Sequence, residues 1–135
     1  MSDKAREKEG LQKCHCGAAQ GFSHCCEPVI SGSAIAETAE QLMRSRYSAF
    51  VVRDESYLLA SWHPDTRPSR VRLDAEHHWL GLAIKATQAG CAADDSGTVE
   101  FVARFKVNGK GHRLHELSRF DKVAGRWYYL DGQHL

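Results

Sequence analysis

No stretch of this sequence approaches the roughly 20 consecutive apolar residues that a membrane span needs. Its start, MSDKAREKEG, has no apolar core of the kind a secretory leader carries, so a soluble, cytoplasmic protein is expected. Charge of one sign is also missing. Eighteen Lys and Arg face seventeen Asp and Glu, which leaves no global field for nucleic acid or an acidic membrane surface. Neither internal repeats nor low-complexity tracts occur. With 42% hydrophobic and 26% charged residues, disordered and collagen-like classes are excluded. The length of 135 residues suits one domain with a short accessory segment.

Cysteine is present in quantity and in one place. Four of the five fall between positions 14 and 26, as Cys14, Cys16, Cys25 and Cys26 in the pattern CxC-x8-CC. In a reducing cytosol such thiols stay free, which disfavours two local disulfides. A redox dithiol would show CxxC beside a βαβ pattern, and iron–sulfur spacings differ from this one. Four soft thiolates brought together by a short turn suit tetrahedral zinc, with Zn–S near about 2.3 Å. Gly17 and Gly21 are expected to let the intervening chain fold back tightly. So short a loop buries no core of its own, and metal binding would supply most of its folding free energy. His15 or His24 could replace one cysteine as a ligand. A closed four-ligand site has no open position for a substrate, so no catalysis is expected at the metal itself.

Around this element the chain divides into three parts. Residues 1–13 read as a polar tail, 14–30 as the metal element and 31–135 as the main domain, with Pro28 and Gly32 interrupting a connector over 27–36. Helical spacing runs from Glu37 to Val52, with Ala39, Leu42, Met43, Tyr47, Phe50 and Val51 on one face and Arg46 sharing it. Asp54 can cap a second helix over SYLLASW, ended at His63-Pro64. Strand alternation then takes over at Leu80–Ile84, Val99–Val107, Arg113–Lys122 and Arg126–Asp131, with turns at Asn108-Gly109 and Ala124-Gly125. Helices followed by an antiparallel meander predict an α+β fold, with helices covering one face of a curved sheet.

The pattern CxCx8CC resembles the SEC-C motif, a small zinc-binding element named for the C-terminus of the SecA translocation ATPase. The phrases LMRSRYSAF (42–50), YLLASWHP (57–64), WLGL (79–82), HELSRF (115–120) and GRWYYLDG (125–132) together resemble the YchJ-like family of bacterial proteins. The likeness spans about residues 14–134. It implies an N-terminal zinc knuckle on Cys14, Cys16, Cys25 and Cys26, followed by a cone-shaped nuclear transport factor 2-like (cystatin-like) domain. SecA's version commonly ends in Cys-His where this chain has Cys-Cys, so the fourth ligand departs from that pattern.

Such a cone often holds a pocket between sheet and helix. Its candidate residues here are Arg46, His63 and Glu116. Glu116 shares a strand face with Leu114 and Phe120, and burial would raise its pKa toward acid–base work. The plainer expectation is a core ion pair between Glu116 and Arg46, and for His63 a hydrogen-bonded role at a helix end. Cys91 reads as an ordinary free thiol. Nucleic-acid recognition lacks its parts, since no aromatic ladder interleaves with a basic stripe. The sequence therefore points first to a non-enzymatic zinc-binding adaptor. Its knuckle would dock on a protein partner, such as one of the translation or protein-export machinery. The alternative is a small-molecule binder or isomerase- or hydrolase-like enzyme using Glu116 and His63 in the cone.

Overall fold

The structure, a computed structural model, describes residues 13–135, so the tail reading lies outside the described residues except for Lys13. A short 3-10 turn at Phe22–His24 leads into helix α1 (Cys26–Ser31), followed by α2 (Ala39–Val52) and α3 (Glu55–Ala60). Four strands follow, β1 (His78–Ala89), β2 (Ser96–Val107), β3 (Lys110–Val123) and β4 (Arg126–His134). They pair in sequence order as one antiparallel meander, β1-β2-β3-β4. The expected α+β architecture is present. None of the described helices is long and apolar enough to cross a membrane.

The segment expected to be an irregular connector is partly helix α1. Pro28 does not prevent it, because proline falls in the first turn, where backbone N–H groups have no helical partner in any case. Helix α2 begins two residues later than the periodicity suggested. Thr38 caps it, its hydroxyl accepting from Gln41 N at 3.1 Å, while the Glu37 amide donates to Gln41 Oε1 at 2.7 Å. Asp54 caps α3 as expected, accepting from Tyr57 N at 3.0 Å. That helix stops at Ala60, short of the predicted end. There the backbone becomes strand-like, with Tyr129 N donating to Ser61 O at 2.9 Å and His63 N to Tyr129 O at 2.7 Å.

The core lies between α2 and the sheet. Leu42, Met43 and Tyr47 meet Val99, Phe101, Ala103, Phe120 and Trp127, all buried. Yet α2 also buries Ser45, Arg46, Ser48 and Ala49, of which the apolar stripe included only Arg46. The reason is further neighbours: Tyr57 of α3 meets Ser45, the end of α3 and Tyr129 hold Arg46, and Cys14 meets Ser48. The cysteine element and α1 also pack on α2, where a Cβ at Gly17 would lie 3.4 Å from Leu82 O of β1, and Cys14, Cys16, Cys26 and Val29 join the same hydrophobic cluster. At its N-terminal end α2 meets the β1–β2 hairpin at Gly90 (φ +79), where Ala39 N donates to Gly90 O at 2.9 Å. A Cβ at Gly90 would lie 2.8 Å from the Ala39 Cβ, so this contact needs glycine on steric as well as conformational grounds.

Candidate metal centre and cone cavity

The thiol sulfurs of Cys14, Cys16, Cys25 and Cys26 all lie within 4.8 Å of one another. Cys16 and Cys25 are 3.7 Å apart, and Cys25 and Cys26 are 4.0 Å apart. A tetrahedral metal with sulfurs at about 2.3 Å sets those sulfurs about 3.8 Å from each other, so the cluster fits a divalent ion with little movement. All five cysteines of the chain are free thiols. Local backbone bonds build the convergence. Cys14 N donates to Gln20 O at 2.8 Å, Gly17 N to Cys14 O at 2.9 Å and Cys25 N to Phe22 O at 3.1 Å. Gly17 takes φ +86 in the first of these turns, whereas Gly21 sits at an ordinary φ of −68 and uses none of its freedom. His15 and His24 stand outside the sulfur cluster and are exposed, His15 against the Phe22 ring at 5.0 Å.

Two residues of α2 hold this element and were not singled out in the sequence. Arg44 Nη1 donates to the Cys16 carbonyl at 2.8 Å and lies 3.9 Å from the Cys16 sulfur, while its Nε bonds Glu40 at 3.0 Å. Ser48, one turn on, sits with its hydroxyl 3.5 Å from the Cys14 sulfur. The only sequence signal for them is their i, i+4 spacing on the helix flank beside Tyr47 and Val51. Hydrogen bonding from Cys26, Arg44 and Cys25 pushes the Cys16 thiol down to about 5 despite its burial. Burial and the Cys16 charge push Cys25 up to about 12, and the hydrogen bond to Cys16 together with burial pushes Cys26 up as well. Packed thiols thus resist sharing several negative charges. A divalent cation held by these four residues would supply the compensating charge and let them ionise.

The expected ion pair between Arg46 and Glu116 does not form: no contact within 4.0 Å joins them among the described ion pairs. Arg46 is 4% exposed and finds other partners. Its Nη1 donates to Leu58 O at 2.7 Å and to Ser61 Oγ at 2.6 Å, and its guanidinium lies over the rings of Trp62 and Tyr129 at 5.1 and 4.5 Å. The backbone carbonyl freed where α3 ends and two aromatic faces replace the carboxylate. Burial pushes Arg46 down to about 10, which keeps it a cation at neutral pH. Glu116, half-buried, is raised above its ordinary range, mainly by burial. Both residues line a cavity of about 240 Å³ between α2 and the sheet. His63 does not line it. That ring is half-buried, accepts from Asp65 N at 3.1 Å and packs edge-on to Tyr128.

Comparison with known proteins agrees with this layout. Residues 38–132 match the family described as "YchJ, middle NTF2-like domain". A UPF0225 protein of Chromobacterium violaceum is 47% identical over 130 residues, covering 93% of this chain and 96% of that protein. A UPF0225 protein of Bordetella pertussis is 52% identical over 122 residues, with 88% and 90% covered. The solution structure of a SEC-C motif containing protein from Rhodopseudomonas palustris matches with a TM-score of 0.81 at 32% identity, covering 92% of this chain and 99% of that one. A SEC-C motif containing protein from Psychrobacter arcticus gives 0.73 at 30% identity, with 92% and 83% covered.

Proposed function

The chain belongs to the YchJ-like family, and on that premise we propose that it is a zinc-binding adaptor whose knuckle docks on a partner protein. Cys14, Cys16, Cys25 and Cys26 are the ligands in this reading, and the observation that carries it is the mutual closeness of their four sulfurs. Zinc suits an all-sulfur tetrahedron, and four protein ligands leave no coordination position for a substrate. The metal then acts on structure: it fixes the knuckle against α2 through Arg44 and Ser48 and presents His15, Phe22 and His24 at the surface. A rigid, exposed knuckle with an aromatic ring is suited to protein contact.

The enzymatic alternative needs an acid and a base facing one cavity. Glu116 meets that requirement and His63 does not, so the adaptor reading is favoured. The test is crosslinking in cells with wild type and with the Phe22→Ser variant. A partner captured by wild type and lost from the variant, with zinc retained at one per chain in both, supports the adaptor. Equal capture by both chains contradicts docking through the knuckle.

A further inference from the structure

The cavity between α2 and the sheet is divided in character. Phe50, Met43, Phe101, Ala103 and Leu114 supply an apolar wall, and nearly all its lining surface is carbon. Arg46, Trp62, Ser118, Glu116 and Tyr129 line it as well, Glu116 directly across the β2–β3 pair from Phe101. Among these residues are hydrogen-bond donors that the protein leaves unused. Arg46 donates from Nη1, while no bond from its Nε or Nη2 is made to an acceptor among the described residues. Trp62 Nε1 is buried without a partner among the described residues. An indole N–H and a guanidinium can only donate, so what satisfies them must be an acceptor. Buried polar groups are rarely left unpaired, because each costs about 1–3 kcal/mol. The nearby charge is also unbalanced, since Arg46 is a buried cation with no carboxylate within ion-pair distance among the described residues.

We propose that this cavity binds a small organic carboxylate with an apolar or aromatic body, its carboxylate facing Arg46 and Trp62 and its body against Phe50, Phe101 and Leu114. A carboxylate supplies both the missing acceptors and the missing counter-charge. The cavity volume of about 240 Å³, below the roughly 300–1,000 Å³ of drug-sized sites, limits the body to about the size of one ring. Glu116 lines the same cavity, but no contact within 4.0 Å joins it to Arg46 among the described ion pairs. This inference is independent of the zinc knuckle and stands or falls apart from it.

Phenylacetate is a suitable probe, with phenylethanol and phenethylamine as its neutral and cationic counterparts. Nitrogen-labelled full-length protein carries three indole N–H reporters. Trp62 and Trp79 line the cavity and Trp127 does not. Phenylacetate should shift the Trp62 and Trp79 signals saturably and leave Trp127 in place. Phenylethanol should bind roughly tenfold or more weakly, as the loss of a charge-assisted hydrogen bond implies. Ala103→Leu, which fills the cavity from the sheet side, should abolish the shifts; Leu114→Phe serves the same purpose if that chain does not fold. Absence of saturable shifts at millimolar phenylacetate overturns the proposal. So does equal or tighter binding of the alcohol or the amine, or unchanged binding in the filled variants.

Discussion

Arg44 and Cys16 are joined across 28 positions of sequence, the guanidinium donating at 2.8 Å to the cysteine carbonyl and lying 3.9 Å from its sulfur. That link makes the metal element part of the domain. A knuckle that merely preceded the cone would need no partner on α2, and its cysteines would not share a hydrophobic cluster with Leu42 and Tyr47.

Arg44→Met should therefore weaken zinc binding while leaving all four cysteines in place. Partners that orient metal ligands are typically worth about 10–100-fold in affinity. Competition with a zinc-binding dye measures the change. An affinity equal to wild type would mean that the Cys16 carbonyl contact does not help hold the knuckle.

Removing two ligands, as in Cys14→Ser with Cys16→Ser, should abolish stoichiometric zinc and lower the melting temperature of the whole domain. Cys14 and Cys16 are 3% and 0% exposed, within the core that α2 shares with the sheet. Metal analysis and circular dichroism read the two effects. Retained zinc would refute the ligand assignment, and an unchanged melting temperature would show that the two parts are energetically separate.

Glu116→Gln discriminates between a core ion pair and the observed arrangement. A broken buried pair would cost about 3–5 kcal/mol. With Arg46 bonded instead to Leu58 O and Ser61 Oγ, the substitution should cost about 1 kcal/mol or less in chemical denaturation. The pH dependence follows from the direction of the shift. Glu116 holds its proton more tightly folded than unfolded, so wild-type stability falls as pH rises from the ordinary carboxylate range through the raised value. The Gln variant should lose that slope, and a slope equal to wild type would contradict the assignment.

Gly90→Ala tests the helix–hairpin contact. The position has φ +79, and the new Cβ would meet the Ala39 Cβ at 2.8 Å. A left-handed conformation alone costs a non-glycine residue about 1–2 kcal/mol, and the steric contact adds to that. Denaturation should show a loss of about 2 kcal/mol or more; a variant as stable as wild type would show that α2 can move away from the hairpin.

Much of the fold was legible because local rules and tertiary packing agree in the sheet. Alternation from Val99 to Val107 and the turn at Asn108-Gly109 need only nearest-strand pairing, and the strands extend a few residues beyond the alternating cores. The cysteine cluster was legible for the same reason, since a turn within thirteen residues can bring all four thiols together. Two features were not. The burial of Ser48 depends on Cys14 of the knuckle and that of Ser45 on Tyr57 of α3, and helical periodicity carries no record of either neighbour. The pairing of Arg46 with Glu116 was inferred from their charges and from the apolar helix and strand faces they share. The carbonyl and hydroxyl that hold Arg46 appear only once α3 ends at Ala60 and the chain turns to pair with β4.

The most direct test of the zinc assignment is the native mass of protein purified without chelator. The account predicts one zinc ion per chain, lost along with four-thiolate ligation when the protein is acidified. A metal-free chain four protons lighter than the reduced mass would mean two disulfides among Cys14, Cys16, Cys25 and Cys26, and would contradict it.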